Sequence, residues 1–377
     1  MRIAIDARKL HDFGIGTYLR NLVAQLRRQD GQDAYSLICR PGDAEFVRSL
    51  GPQFTPVVER AGNYSLLEQI TVPWALQRTK VDLFHAPHYV VSPLTACPTV
   101  VTIHDCIHLR FPQYLPNRRA YAYARVMMMM AARRARRILT VSQASKDDIL
   151  RYLKVPAGKI EVIYNALDER LATPPADEAV TRVRERFQLR APFILYAGNI
   201  KPHKNIDRLI EAFAILRKRH DGELKLLLIG DDISKYPNLR RLVHRFQLHQ
   251  HVRFLGFVPD ATLAVLYRLA AAFVFPSLYE GFGLPPLEAM ASGTPVITSN
   301  VSSLPEVVGD AALLIDPMNP AEIADAMWRV LQDPALRSDL IRRGCARVKA
   351  FSWERSVART REVYAEVIAE TGKGTRV

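Results

Sequence analysis

The chain has 377 residues, of which 49% are hydrophobic and 24% charged, and its formal net charge at pH 7 is +14. This composition excludes disordered and fibrous proteins and suits about two globular domains. No apolar run reaches the roughly eighteen residues of a membrane span, and the N-terminus is charged, so we expect a cytoplasmic protein. The charge requires an anionic partner, which could be nucleic acid, acidic lipid or a phosphorylated substrate.

Short β-rich runs alternate with helical stretches in the first half of the chain. The runs are RIAIDA (2–7), YSLICR (35–40), VDLFHA (81–86), TVVTIHD (99–105), RILTVS (137–142) and KIEVIYNA (159–166). Strands separated by helices predict a parallel sheet covered on both faces.

A glycine loop, HDFGIGTYLRNL (11–22), follows the first run and leads into a helix. Gly14 and Gly16 allow the backbone to approach a ligand closely, and the helix start offers N–H groups to an oxyanion. The loop lacks the dinucleotide fingerprint, because Leu19 stands where the third glycine belongs. This argues against a nicotinamide-dependent oxidoreductase.

Histidines follow two of the predicted strands. His104 and Asp105 end the run at 99–105, while His85 and His88 lie in HAPHYV (85–90). A lone histidine is more often structural than catalytic. Only His104 and Asp105 lie at the end of a predicted strand, and the roles of all four residues depend on the resemblance described below.

Residues 118–137 contain seven arginines, no acid and the run Met127 to Met130. One interpretation is a helix with methionines in the core and arginines in solvent. The other is a helix on an anionic membrane face, where lipid-linked acceptors are met. The sequence leaves both open, and no nucleic-acid module accompanies the charge, so we expect no nucleic-acid partner.

The pattern breaks at residues 171–182, which read as a Pro-rich, polar linker, and then restarts. The second series is PFILYAGN, LKLLLIG, VRFLGF, AAFVFPS, PVITSN and ALLID. We therefore predict two doubly wound Rossmann-like α/β domains, residues 1–175 and 176–354, facing each other across a cleft. A helix at about 355–377 completes the chain.

Two carboxylates, Glu280 and Glu288, flank the bend after the apolar run AAFVFPS. Gly281 and Gly283 permit a tight turn, and the prolines that follow suit the first turn of a helix. The amides of that helix start favour a phosphate, and carboxylates accept hydrogen bonds from sugar hydroxyls. One nucleotide sugar carries both kinds of group. The alternative is a solvated turn residue at 280 and a dipole-complementing one at 288.

The segment EGFGLPPLEAMASGTPV (280–296) resembles the E-x7-E signature of retaining glycosyltransferases of family 4, which have the GT-B fold. The resemblance continues through SSLPEV (302–307) and GDAA (309–312) and extends in order over nearly the whole chain. It implies that the first domain takes the acceptor and the second the nucleotide sugar, and that the final helix packs back on the first domain.

The resemblance also implies roles for individual residues. It assigns catalytic roles to Glu280, His104 and Lys204. It assigns donor binding to Gly14, Gly16, Lys204, Gly281, Phe282, Gly283, Leu284 and Glu288, and acceptor contacts to His85, His88 and Asp105. We add Asn199 and Lys201 as donor-binding candidates from their place in the loop between a strand and a helix. One departure is clear, since the family usually has arginine where this chain has Asn199, and Lys201 is our proposed substitute as a phosphate cation.

No D-x-D motif and no His/Asp spacing typical of a metal site occurs, so we expect a metal-independent reaction without a cofactor. The four cysteines are scattered, which indicates reduced thiols.

The predicted function is hexose transfer, with mannose from GDP-mannose favoured, to a glycan or lipid-linked saccharide in surface polysaccharide synthesis. The alternatives are a nucleotide-sugar epimerase of the same fold and a noncatalytic basic sugar-binding protein. We expect the protein in the cytoplasm, with peripheral contact at the inner membrane face as an open alternative.

Overall fold

The computed structural model describes residues 1–29, 32–62, 64–65, 67–168, 175–220 and 222–374. The chain divides into two compact units. Unit 1 comprises Met1–Asn165 and Ser352–Val377, and unit 2 comprises Ala166–Phe351.

Unit 1 is built on a seven-stranded parallel sheet of order β3-β2-β1-β4-β5-β6-β7. In its register, Ile5 of β1 lies between Leu37 of β2 and His85 of β4. The strands are β1 (Arg2–Asp6), β2 (Ala34–Cys39), β3 (Phe54–Val58), β4 (Leu83–Ala86), β5 (Thr99–Thr102), β6 (Arg137–Thr140) and β7 (Ile160–Val162).

The helices of unit 1 cover both faces of this sheet. They are α1 (Phe13–Arg28), α2 (Ala44–Ser49), α3 (Glu68–Thr79), α4 (Ile107–Arg110), α5 (Arg118–Arg134) and α6 (Gln143–Leu153), followed by a C-terminal helix (Trp353–Gly374) that belongs to the same unit. On one face, α3, α5 and α6 share a core through Val72, Met128 and Ile149, which pack with Phe84 and Val101 of the sheet. Near-continuous apolar strands are what a sheet buried on both faces requires.

The C-terminal helix is fixed to unit 1 by polar contacts. The Tyr364 hydroxyl lies 2.7 Å from His85 Nδ1, and Arg361 donates to Asp33 Oδ2 at 2.6 Å. Arg359 Nε donates to Glu161 Oε1 at 2.8 Å. This last helix therefore packs against the N-terminal strands, although about 190 residues separate Glu161 from it in sequence.

Unit 2 is built on a six-stranded parallel sheet of order β10-β9-β8-β11-β12-β13. Its strands are β8 (Phe193–Ala197), β9 (Lys225–Ile229), β10 (Val252–Gly256), β11 (Ala272–Phe275), β12 (Val296–Ser299) and β13 (Ala312–Ile315). Its helices are α7 (Asp177–Arg186), α8 (Ile206–Arg217), α9 (Pro237–Arg245), α10 (Asp260–Leu269), α11 (Leu284–Ala291), α12 (Leu304–Val308), α13 (Pro320–Gln332) and α14 (Pro334–Val348). We number the C-terminal helix of unit 1 α15.

Both sheets are doubly wound, so the prediction of two Rossmann-like domains is confirmed. The strand order reverses between β1 and β4 in unit 1 and between β8 and β11 in unit 2. Ligands of open parallel sheets bind beside the carboxyl ends of the strands at such a reversal. In unit 2 this point brings together the loops after β8 and β11, which carry Lys204 and Glu280.

The linker predicted at residues 171–182 needs correction. Residues 171–174 lie outside the described residues, and the prediction is wrong from residue 177 because α7 begins there. Asp177 and Glu178 occupy the first turn of α7, and Arg184 and Arg186 lie near its end. This arrangement of charges complements the helix dipole, which explains why so polar a segment is helical.

None of the described helices combines the length and apolar content that crossing a bilayer requires. The four cysteines are free thiols.

Candidate active site

The loop after β8 is held against the loop after β11 by backbone and amide contacts. Asn205 adopts a left-handed conformation (φ +61°), and its side-chain amide donates to the carbonyls of Pro276 at 3.0 Å and Pro317 at 2.7 Å. The N–H of Leu278 donates to the carbonyl of His203 at 2.7 Å. These bonds fix the position of Lys204, which lies between His203 and Asn205, relative to Glu280.

Lys204 and Glu280 form an ion pair at this point, with 2.6 Å between Nζ and Oε1. Their side chains remain 11% and 13% exposed, so each partner retains access to solvent. The ammonium group also lies 5.1 Å from the centroid of the Phe275 ring, which stacks on Tyr196. The predicted catalytic lysine and glutamate are thus brought together. Each side chain partly compensates the charge of the other.

Hydrogen bonds from two serine side chains fix the turn that carries Glu280. Ser302 Oγ and Ser303 Oγ donate to the Glu280 carbonyl at 2.7 and 3.0 Å, and Ser303 Oγ also lies 2.7 Å from the Phe282 carbonyl. Phe282 itself is buried against Phe351. The backbone of residues 280–282 is therefore rigidly placed, while the carboxylate at its start is partly exposed.

Helix α11 begins immediately after the turn, with Gly283 as its N-cap at φ +111°. This left-handed conformation favours glycine, and a Cβ here would also lie 2.8 Å from Leu304 Cδ2, so that side chain would have to shift. Pro285 and Pro286 have no N–H, which leaves the amides of Gly283 and Leu284 at the helix start. The anion site predicted here thus has fewer donors than an ordinary helix N-terminus.

Glu288 lies one turn into α11 and accepts a hydrogen bond from the Tyr267 hydroxyl at 2.9 Å. Burial raises the pKa of Glu288 to about 7, against the opposing effect of the Tyr267 bond, and the charges of Asp260 and Asp168 add to the rise. The sequence analysis missed Tyr267. Its place within the amphipathic α10 offered no signal, because a buried tyrosine there resembles an ordinary core residue.

The remaining donor-side candidates differ in their surroundings. Lys201 is exposed and makes no ion pair with any residue that the structure describes. Asn199 accepts the Tyr196 hydroxyl on its backbone carbonyl at 3.1 Å, while its buried Oδ1 has no hydrogen-bond partner within the described part of the chain. The backbone carbonyl of Lys201 accepts the Lys204 N–H at 2.9 Å. The roles predicted for the Asn199 and Lys201 side chains stay predictions.

In unit 1 the segment predicted as a glycine loop is already helical, because α1 begins at Phe13. A Cβ on Gly16 would lie 2.6 Å from the Leu10 carbonyl oxygen, so this glycine lets the preceding loop fold onto the helix. A Cβ on Gly14 would meet nothing within 4 Å. Gly14 therefore faces open space at the start of α1, where a ligand could approach the backbone.

A buried network of charges lies at the strand reversal of unit 1. Arg8 binds both carboxylate oxygens of Asp6, at 2.8 and 2.6 Å, and donates to Glu68 Oε2 at 2.8 Å. The N–H of Val90 donates to His88 Nδ1, so the other ring nitrogen donates to Asp6, at 3.3 Å. Burial alone would raise the pKa of Asp6, but Arg8 and His88 hold that pKa well below its usual range.

This network uses both ring nitrogens of His88, one of the predicted acceptor residues, and His88 is only 4% exposed. The sequence analysis missed Arg8, Asp6 and Glu68. Asp6 at the carboxyl end of the first strand was the available signal, since polar residues at strand ends form the sites of this fold class.

His85, the other predicted acceptor histidine, lies inside β4 and is fully buried. It bonds Thr102 Oγ1 through Nε2 at 2.8 Å and the Tyr364 hydroxyl through Nδ1 at 2.7 Å. Burial lowers the pKa of His85 to about 3. The structure thus places this side chain in the interior, where it ties β4 to α15, and not where an acceptor could reach it.

His104 is partly exposed, and its Nε2 donates to the Pro87 carbonyl at 3.0 Å. Nδ1 is therefore the unprotonated nitrogen, and the ring packs edge-on against Tyr18 at 5.0 Å. Burial lowers the pKa of His104 to about 4, so the ring is neutral at physiological pH. The neighbouring Asp105 accepts the Ile107 N–H at 2.9 Å and so stabilises the start of α4.

Nowhere in the described ranges do three or more His, Cys, Asp or Glu side chains form a group that could hold a metal ion.

Comparison with known proteins identifies the family. Residues 14–171 match the family model Glycosyltransferase Family 4, and residues 177–347 match Glycosyl transferases group 1. The chain is 37% identical over 303 residues to the O-antigen chain mannosyltransferase B of Escherichia coli, a match that covers 80% of this chain and 78% of that protein. The chain belongs to glycosyltransferase family 4. The O-antigen chain mannosyltransferase RfbU of Salmonella typhimurium is another relative, 27% identical over 88% of this glycosyltransferase and 91% of its own length.

Solved structures agree with the fold. Sucrose-phosphate synthase from Thermosynechococcus elongatus superposes with a TM-score of 0.80 at 23% identity, covering 98% of this chain and all of that one. HepE of Anabaena, solved in complex with UDP and glucose, gives a TM-score of 0.79 at 20% identity over 97% of this chain and all of its own. The glycosyltransferase therefore has the GT-B fold that its sequence predicted.

Proposed function

We propose that this glycosyltransferase moves a hexose from a nucleotide-diphosphate sugar to a hydroxyl of a glycan or lipid-linked saccharide, with retention at the anomeric carbon. The Lys204–Glu280 pair is the observation that carries the proposal. A cation and a carboxylate in contact, both partly exposed at a strand reversal, suit a ligand that has a phosphate next to a polyol.

The two partners would separate when the donor binds. The diphosphate takes Lys204, since an ammonium group stabilises the charge that develops on a departing phosphate. Glu280 then accepts hydrogen bonds from the hexose hydroxyls. The rigid backbone beneath Glu280 keeps its carboxylate in place, which lowers the reorganisation required during the reaction.

Glu288 would hold the ribose hydroxyls, with Tyr267 orienting its carboxylate. His104, neutral at physiological pH, could offer only its unprotonated Nδ1 as an acceptor to a hydroxyl of the hexose. Lys201, as an exposed cation three residues before Lys204, would be the second phosphate contact in place of the arginine usual in the family.

The chemical course we propose is departure of the nucleotide diphosphate through an oxocarbenium-like state. The acceptor hydroxyl attacks the anomeric carbon from the face that the diphosphate leaves, and its proton passes to a departing phosphate oxygen. Glu280 forms no covalent bond in this course. Lys204 and the amides of Gly283 and Leu284 neutralise the diphosphate, so the reaction requires no divalent metal.

Mannose is the proposed sugar and GDP-mannose the proposed donor. The support comes from the names of the two relatives, both O-antigen chain mannosyltransferases. The same names support a role in surface polysaccharide synthesis.

A panel of nucleotide sugars tests the donor. The correct donor, at a hundred times its dissociation constant, should raise the free energy of unfolding by about 2.7 kcal/mol. GDP-mannose should stabilise the chain most, and UDP-glucose less. Greater stabilisation by another donor would contradict the assignment of mannose.

Product analysis tests the reaction itself. We expect nucleotide release that depends on a saccharide acceptor, an α-linked product from an α-linked donor, and unchanged rates in excess chelator. Release of an altered free sugar without acceptor would indicate an epimerase instead.

A further inference from the structure

Unit 1 exposes a group of large apolar side chains on one side. Leu67, Ile70 and Trp74 are 57%, 61% and 54% exposed, and they recur along α3 at the spacing of one helix face. Leu94 in the loop before β5 is 59% exposed, and Val126 on α5 is 49% exposed. Single exposed apolar residues are ordinary, whereas a helical row of them with apolar neighbours indicates a contact surface.

Contacts between neighbouring residues bring these segments together. Ser92 Oγ donates to the Gln69 carbonyl of α3 at 2.5 Å, which holds the loop of Leu94 against that helix. Arg134 at the end of α5 donates to the Thr95 carbonyl of the same loop. At the other end, Tyr64 before α3 packs edge-on against Tyr123 of α5 at 6.5 Å. Helices α3 and α5 thus pack into the same core on one face of the sheet, and both are bonded to the loop that carries Leu94.

Arginines surround the apolar row. Arg125 and Arg133 lie on the exposed stripe of α5, and Arg78 stacks its guanidinium 3.6 Å from the centroid of Trp74. Residues 67–80, 87–98 and 118–136 contain one acid, Glu68. Its side chain is 2% exposed and paired with Arg8, so this surface carries positive charge with no exposed carboxylate from these three segments.

The structure shows which apolar residues belong to this surface and which are buried. Met127 and Met128 are 6% and 1% exposed and belong to the core beneath α5. Of the two interpretations of residues 118–137, the one with methionines in the core therefore holds for Met127 and Met128. The exposed apolar side chains come instead from α3 and from Leu94, which the sequence analysis did not consider.

We propose that this surface, here called the α3–α5 face (exposed side chains of residues 67–80, Leu94 and 118–134), binds the headgroup region of an anionic phospholipid bilayer. Trp74, Ile70 and Leu94 enter the acyl boundary, and the arginines contact lipid phosphates. The inference deepens the proposed function by naming where a lipid-linked acceptor is met. Vesicle binding requires no turnover, so the two proposals can fail separately.

Charge distinguishes a bilayer from other occupants. A second copy of the chain would bring the same arginines face to face, which costs free energy. Nucleic acid would use the arginines but would gain little from Leu67, Ile70 and Leu94, since aliphatic side chains do not stack on bases. An anionic bilayer satisfies both the charges and the apolar row.

Sedimentation with vesicles tests the proposal on the full chain. Vesicles of equal parts phosphatidylcholine and phosphatidylglycerol should bind it, binding should weaken with salt, and phosphatidylcholine alone should bind at least tenfold less. Trp74 emission should shift to the blue on binding, and the shift should disappear in Trp74→Phe. Equal binding to both kinds of vesicle, or no binding to either, would overturn the proposal.

Two pairs of variants locate the contact. Ile70→Ser with Trp74→Ser should weaken vesicle binding by about tenfold or more. Phe46→Ser, which alters a similarly exposed residue on α2, should leave binding unchanged. Arg125→Ser with Arg133→Ser should weaken binding by about fivefold per arginine, whereas Arg182→Ser with Arg184→Ser on α7 should not.

Thermal unfolding shows whether each variant is folded, and sedimentation velocity shows the oligomeric state. If all four variants bind equally, the α3–α5 face is not the contact. If the chain is a dimer that Ile70→Ser with Trp74→Ser dissociates, a second copy covers the face and the proposal is overturned.

Discussion

The two strand reversals of this glycosyltransferase hold charged residues in opposite ways. In unit 2, Lys204 and Glu280 are paired but partly exposed, and each can exchange its partner for a ligand. In unit 1, Asp6, Arg8 and Glu68 are at most 2% exposed and bind one another. The same position in the same fold therefore holds a partly exposed ion pair in one unit and a buried network in the other. Both groups are charged, so they differ in how far their side chains are exposed.

Breaking the buried network should have the largest effect on stability. Arg8→Leu leaves the carboxylates of Asp6 and Glu68 buried without a cation, which should cost about 3–5 kcal/mol of the free energy of unfolding. Denaturant titration measures it. Lys201→Leu, which removes an exposed cation, is the matched control and should change stability by less than about 0.5 kcal/mol. A small effect of Arg8→Leu would show that the network is not a framework.

Changing the exposed pair should affect activity and spare the fold. Glu280→Gln should lower kcat by about a hundredfold or more, because the carboxylate stabilises the reacting sugar. Its unfolding free energy should fall by about 1–3 kcal/mol, because the buried Lys204 loses its counter-ion but can still donate to the amide oxygen of the new side chain. The control is Glu185→Gln on α7. Full turnover by Glu280→Gln would remove the central role of this residue.

Protonation of Glu288 should make the free energy of unfolding depend on pH. Its pKa in the folded protein is raised from 4.5 to about 7, so the folded state holds a proton that the unfolded state has lost between these values. Stability should therefore fall as pH rises from about 4.5 to about 7, and Glu288→Gln should abolish that slope and gain roughly 1–3 kcal/mol above pH 7. Unfolding measured from pH 4 to 8 checks this.

The same titration should appear in donor binding. The ionised carboxylate is the better acceptor for ribose hydroxyls, so KM for the donor should fall as pH rises through 7. Tyr267→Phe should raise KM with little change in kcat, as expected of a positioning residue. If Glu288→Gln raises KM while Tyr267→Phe does not, Glu288 binds the donor without help from Tyr267.

The two glycines at the start of α1 should change stability in opposite directions. Gly16→Ala forces a Cβ against the Leu10 carbonyl and should cost about 1–3 kcal/mol. Gly14→Ala meets no atom and should stabilise α1 by up to about 1 kcal/mol. If Gly14→Ala raises KM for the donor, the donor contacts unit 1 as well as unit 2. Equal stability of the two variants would contradict the close approach at Gly16.

The fold followed from sequence because apolar runs of strand length alternate with amphipathic helices in both halves of the chain. The linker prediction is wrong from residue 177, where the order of charges, and not apolar content, stabilises α7. The Lys204–Glu280 contact could be anticipated, since both residues follow strands that the doubly wound order makes neighbours. The Glu288–Tyr267 bond could not, because tyrosine on α10 has no sequence mark that separates it from a core residue.

The histidines show a second limit. His85 lies inside β4 and His88 follows that strand, yet their ring nitrogens are bonded to Thr102, Tyr364, Asp6 and Val90. Three of these hydrogen-bond partners, Thr102, Asp6 and Tyr364 of α15, lie far away in the sequence. Only a structure reveals these bonds.

A crystal structure with the most stabilising nucleotide sugar tests the central claim most directly. We predict that the Lys204–Glu280 contact of 2.6 Å is broken, with Lys204 Nζ on the diphosphate and Glu280 on hexose hydroxyls. An intact contact, with the donor bound at other residues, would contradict the account.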